Sequence, residues 1–126
     1  MILISPGSLQ LCYERRCAMA TYLLQYSYKP ETLAARIKNP INTREVVDNV
    51  VSQFGGKLLG CRFAFGEHDM IVLTEAPDNI NVAAASMLVG ASGAFTQLKT
   101  TVLLSMEEGL SAMQKAGSMS YTPPRA

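Results

Sequence analysis

The residues best suited to chemistry gather at Gly66-Glu67-His68-Asp69, the densest polar group in the chain and the site of its single histidine. Imidazole exchanges protons near neutral pH, so His68 is the candidate acid–base group. Glu67 and Asp69 are candidate ligand contacts whose charge would favour the protonated ring. Neighbours along a strand point to opposite faces, so Asp69 could orient the imidazole only through an unusual turn. A plainer reading stands beside this one. The run is a hairpin connection in which Gly66 supplies backbone freedom and the polar side chains meet water. A solitary histidine without a fixed partner is poorly organised for acid–base work.

Tyr22, Tyr26 and Tyr28 share one face of an expected strand. Tyr22 and Tyr26 could line a small ligand pocket, or the three rings could press against another protein surface, where aromatic side chains supply much area. A base-stacking platform would need flanking basic clusters, and these are missing, so nucleic acid is not expected as a partner. One histidine, Cys61 and scattered carboxylates cannot converge into three or four ligands, so neither a metal nor another cofactor is expected. Cys12 and Cys17 match neither a redox CxxC nor the common zinc spacing. All three cysteines read as reduced thiols of a cytoplasmic protein. The chain contains no GxGxxG, Walker lysine motif, HExxH or nucleophile elbow. Gly90-Ala91-Ser92-Gly93 follows a helix and precedes a strand, the reverse of a phosphate loop.

The elements that must position these groups follow from periodicity. Residues 1–18 carry no sustained pattern and read as an N-terminal extension to a domain at 19–116, with 117–126 as a tail. A strand is expected from Thr21 to Tyr28, then a connection with a short helical turn through Pro40. Asn42 with Glu45 fits a capping pair, and Val47, Val50, Val51 and Phe54 recur at helical spacing. Gly55-Gly56 closes that helix. A second strand is expected from Lys57 to Phe65, with Leu59, Cys61, Phe63 and Phe65 on one face. A third runs from Asp69 to Glu75. Asp78 or Asn79 can cap a helix from Ile80 to Val89, with Ala84, Met87, Leu88 and Ala91 facing inward and Gly90 and Gly93 ending it. Ala94 to Leu104 reads as the fourth strand. Ser105 with Glu108 opens a last helix to Ala116, with Met106, Leu110 and Met113 on one side.

Strand, helix, strand, twice over, is a split β-α-β arrangement: an α+β fold with one antiparallel sheet and two helices on one face. The strands nevertheless carry apolar residues on both sides, and a sheet buried on both faces needs a second cover. The last helix is too short to cover four strands, so another subunit's sheet is the expected cover and the chain is expected to form at least a homodimer. At 126 residues with 48% hydrophobic and 17% charged residues, a single folded domain is expected. A net charge of +1 leaves no global field to steer acidic partners. No apolar run is long enough to span a membrane, and the first charges follow the N-terminal apolar stretch, unlike a signal peptide.

Met19 to about Ala116 resembles the GYD domain family. The stretches that carry the likeness are Ala20-Thr-Tyr-Leu-Leu, Gly55-Gly-Lys-Leu-Leu-Gly60, Gly66-Glu-His-Asp-Met-Ile-Val-Leu-Thr-Glu-Ala-Pro-Asp78 and the alanine-rich helix beyond. Gly66 and Asp69 match the family's Gly-x-Tyr-Asp signature, with His68 in the tyrosine position. The resemblance implies a ferredoxin-like β-α-β-β-α-β subunit with a C-terminal helix in a dimeric α/β-barrel assembly. It implies no settled activity, because related groups on that fold include cofactor-free oxygenases, haem-binding enzymes and sensing domains. Two functions remain open: a non-catalytic domain that binds a small molecule, or a cofactor-free monooxygenase-like or isomerase-like enzyme using His68. A pocket inside the subunit reached by His68 would favour the enzyme.

Overall fold

The structure, a computed structural model, describes residues 19–125. The expected extension at 1–18, with Cys12 and Cys17, lies outside the described residues. The elements in chain order are β1 (Ala20–Tyr28), α1 (Pro30–Lys38), α2 (Thr43–Gln53), β2 (Lys57–Phe63), β3 (Met70–Ala76), α3 (Asn79–Ala91), β4 (Phe95–Leu103) and α4 (Met106–Ala116).

The strands form one antiparallel sheet in the order β2-β3-β1-β4. This is the α+β arrangement expected from the split β-α-β pattern, but the expected barrel is overturned. Barrel closure requires the edge strands to meet in a continuous tilted ladder. Here β2 and β4 lie at opposite edges of an open sheet, and among the described residues neither outer edge is paired.

Alternation along the strands decides which face is covered. Tyr22 on β1 and Met70, Val72, Thr74 and Ala76 on β3 are all buried beneath the helices. Val51 and Phe54 from α2 and Val82 from α3 complete the core, with Leu24, Val47, Val50 and Ala85 packed around it. Thr74 is tolerated there because its hydroxyl donates to the Lys57 and Glu75 carbonyls at 2.9 and 3.0 Å. The other face presents Leu23, Ile71, Leu73, Thr101 and Leu103, all half-buried, with no helix of the described residues over them.

Helix α2 buries the side its periodicity predicts, and Gly55 just beyond it adopts φ 77°. A side chain at Gly56 would collide with the Glu75 carbonyl and the Phe54 ring, which explains the second glycine. Asn42 precedes α2, but its side chain caps nothing. The expected connection after β1 is a nine-residue helix, α1, with Pro30 and Glu31 in its first turn and Arg36 and Lys38 in its last. None of its residues is buried, so no apolar stripe announced it. Strand β2 ends at Phe63, two residues before the expected boundary, and a register shift between Leu58 and Gly60 takes Leu59 out of the expected row.

Helix α3 keeps only part of its expected orientation. Ala84, Met87, Leu88 and Ala91 are all exposed, whereas Val82 is buried and Ala85, Ser86 and Val89 are half-buried. Asp78 caps it by accepting the Asn81 amide, and Gly90 lies inside the helix rather than ending it. Both halves of the capping box expected of Ser105 and Glu108 form at α4. No residue of α4 is buried, and among the described residues it packs substantially on no other element.

Candidate functional site

Between α2, α3 and the sheet lies a cavity of about 500 Å³. Val46, Val47, Val50, Val51 and Phe54 wall it from α2, and Ala85, Ser86, Leu88 and Val89 from α3. Leu24 and Tyr26 of β1 and Phe95, Leu98 and Thr100 of β4 form its floor. The local cause is a mismatch of side-chain size. Valines on α2 face Ala85 and Ser86 on α3, which are too short to close the gap over the sheet. Polar groups are few, and the Ser86 and Thr100 hydroxyls already bond each other at 3.2 Å. A largely apolar concave site with a small number of fixed polar groups is the usual form of a small-molecule site.

Tyr26 closes one end of the cavity within an aromatic cluster. Its ring meets Phe95 edge-on at 4.8 Å and Tyr28 edge-on at 6.1 Å, while Tyr28 tilts against Phe95 at 5.3 Å. Burial pushes the Tyr26 phenol well above its ordinary pKa, and the neighbouring Tyr28 and Cys61 push the same way. Tyr26 therefore remains a neutral hydroxyl across the physiological range. Tyr28 is also raised, first by burial, with the Arg36 charge opposing and Asp69 adding to the rise.

The other sequence candidates lie elsewhere. Tyr22 is a core residue: its phenol donates to Asn79 Oδ1 at 2.6 Å, joining β1 to the first residue of α3. His68 is buried, not in water as the hairpin reading had it. Its Nδ1 lies 3.4 Å from the Ser27 hydroxyl, and Ser27 belongs to the set of β1 side chains directed away from the cavity. His68 does not line the cavity. Glu67 is exposed and contributes its carbonyl, 3.3 Å from the Ser27 hydroxyl.

Asp69 ties the hairpin to β1 where the β1–β3 ladder ends at Tyr26 and Met70. Its amide donates to the Tyr26 carbonyl at 3.0 Å, and its carboxylate accepts the Tyr28 amide at 2.9 Å. Its carbonyl accepts the Ala64 amide at 2.8 Å. These bonds make Asp69 the structural anchor of the signature turn, holding Tyr26 and Tyr28 in place. Of the five residues named from the sequence, Tyr26 alone lines the cavity. The residues that reasoning missed are the valines of α2 and Ala85, Ser86 and Val89 of α3. The sequence shows a valine stripe and an alanine run but carries no signal that sets one against the other.

Among the described residues no three histidine, cysteine or carboxylate side chains are placed to hold a metal ion. No helix of the described residues is long and apolar enough to cross a membrane. The sequence pattern described as the GYD domain matches residues 22–113. No curated protein matches the chain. Among solved structures it is similar to a transcriptional regulator from Neisseria meningitidis solved with L-Met, at 15% identity and a TM-score of 0.45. That alignment covers 84% of this chain but 58% of the regulator chain, less than two thirds of its length.

Proposed function

The chain belongs to the GYD domain family, and from that premise we propose that it is a self-associating, non-catalytic domain that binds a small, uncharged, mainly apolar molecule. The observation that carries this reading is the cavity between α2, α3 and the sheet, whose walls are almost wholly aliphatic and aromatic. Its volume of about 500 Å³ falls within the common range for small-ligand sites. The Tyr26 ring closes one end, and Ser86 and Thr100 supply hydroxyls along the wall. Among the described residues Lys99 is the one charged residue that borders the cavity, from a β4 position that alternates toward the other face, so an anion or cation would find little to offset its desolvation and a neutral ligand is favoured. His68 stands outside this cavity, which leaves the enzyme reading without an acid–base group at the ligand. The protein works in the cytoplasm in this reading, with Cys61 kept as a thiol.

Fluorescence titration with N-phenyl-1-naphthylamine, an uncharged apolar probe, tests the reading. The parent is expected to bind saturably, and Ala85→Phe, which fills the cavity from α3, to bind at least about tenfold more weakly, equivalent to ~1.4 kcal/mol. Equal binding by a folded Ala85→Phe variant would overturn the assignment.

A further inference from the structure

The polar groups around the cavity are not equivalent. Ser92, just after α3, is fully engaged: its hydroxyl donates to the Val89 carbonyl at 2.6 Å and accepts the Ala94 amide at 3.3 Å. Gln25 and Lys99 pair across β1 and β4 at positions that alternate toward the other face of the sheet, so their polar ends point away. The Tyr26 phenol has Cys61 as a neighbour, on β2 and therefore on the side of β1 away from β4. Ser86 of α3 and Thr100 of β4 differ from all of these. Their hydroxyls lie 3.2 Å apart and bridge the wall to the floor at the β4 edge. Thr100 is exposed there, whereas Val51 and Phe54 of α2 are buried. Two hydroxyls hold two protons, and the bond between them uses one. Among the described residues neither oxygen has another partner, so one O–H is left to donate.

We propose that the Ser86–Thr100 pair is the polar subsite of this cavity, and that it takes a ligand whose apolar body carries one uncharged acceptor oxygen, as a ketone, ester or ether does. The inference rests on the cavity reading and names the functional group that the cavity selects. The ligand's oxygen accepts the remaining O–H at the β4 edge, while its apolar body runs inward against Leu24, Val50, Val51 and Phe54. A hydrocarbon of the same shape strips water from that O–H and offers no acceptor in its place, which weakens its binding. A carboxylate or an ammonium group meets the same hydroxyls without a counter-charge directed into the cavity, and its desolvation is left uncompensated. The pair is held from two sides, by a helix and by a strand, so its direction is set before a ligand arrives.

Binding of 2-acetylnaphthalene and of 2-isopropenylnaphthalene to the full chain tests this proposal, because the two differ only in a carbonyl oxygen against a methylene group. The ratio of their dissociation constants is measured in the parent and in the double variant Ser86→Ala, Thr100→Val, which removes both hydroxyls with little change of shape. Each probe's own hydration cancels in this comparison. The preference for the ketone is expected to fall about fivefold in the double variant, equivalent to about 1 kcal/mol for one hydrogen bond. Thr100→Ser retains a hydroxyl at that position and is expected to retain the preference. A second measurement needs no variant. The infrared carbonyl stretch of the bound ketone is expected below its position in a dry alkane, as a donated hydrogen bond requires. An unchanged ratio in the folded double variant, or an alkane-like stretch in the parent, overturns the subsite and leaves the cavity standing. A parent that binds neither probe saturably overturns both.

Discussion

Helices α2 and α3 wall the same cavity, yet they are oriented by different means. Helix α2 carries Arg44, Glu45 and Asp48 opposite its valines, so water and the core pull its two sides in opposite directions. Helix α3, from Asn79 to Ala91, has no charged residue at all. Its orientation comes from outside its own pattern: the Asp78 cap, the Tyr22–Asn79 hydrogen bond and the burial of Val82. One consequence is that Ile80 and Met87 stand 78% and 74% exposed although both are large and apolar. A helix with a polar back declares its buried side; a helix without one takes the orientation that its neighbours impose.

The comparison can be broken most severely on α2. Val51→Asp places a carboxylate at a fully buried position and is expected to cost more than about 4 kcal/mol, removing cooperative unfolding in a urea titration. On α3, Val82→Ala deletes two carbons at its single buried anchor. The expected loss is about 1.5–2.5 kcal/mol by the same titration. A loss below ~0.5 kcal/mol there would show that Val82 does not orient the helix.

This contrast also explains how far the amino-acid pattern could be read. The strands followed from turn and proline signals with β-type composition, the face of α2 from its polar back, and the capping box of α4 from its serine–glutamate spacing. Helix α1 was read only as a short helical turn because nothing in Pro30–Lys38 is buried, leaving only weak end signals: a proline, an acid and two bases. The α3 stripe was half right, with Leu88 and Ala91 bordering the cavity and Ala84 and Met87 facing out, because its outward residues are no less apolar than those that turn inward. Leu59 was misplaced because a register shift leaves no mark on alternating leucines. The cavity was out of reach for another reason. It exists only where α2 valines face Ala85 and Ser86 across the sheet, a juxtaposition of segments far apart in the chain. His68 attracted notice by chemistry alone, and its place against Ser27 on the other side of the sheet depends on how the hairpin folds over β1.

A subtler test uses the tyrosines beneath the two helices. Burial is the main cause of the raised phenol pKa values of Tyr22, Tyr26 and Tyr28. A phenol whose pKa is higher folded than unfolded contributes stability that is complete below the unfolded value, about 10, and is lost as pH rises through the folded values. Stability is therefore expected to fall progressively above about pH 10. In a titration followed at 295 nm, these three phenols should ionise later than free tyrosine or together with unfolding. Ionisation of all the tyrosines near pH 10 in a still-folded protein would contradict their burial. The smallest effect belongs to the outer side of α3. Met87→Gln is expected to change thermal stability by no more than about 0.5 kcal/mol, as at an ordinary surface position.

The claim that the α2–α3 cavity is the ligand site meets its most direct test in methyl-resolved NMR. The full chain, labelled at its Ile, Leu and Val methyls, is titrated with an uncharged aromatic such as indole. Saturable shifts are expected together at Val47, Val50, Val89 and Leu98, on three separate elements that meet only at the cavity. The methyls of Ile80 and Leu104, exposed and outside it, should remain still. Shifts confined to Leu23, Ile71 and Leu73 on the open face, or no saturable shift at any cavity methyl, would contradict the account.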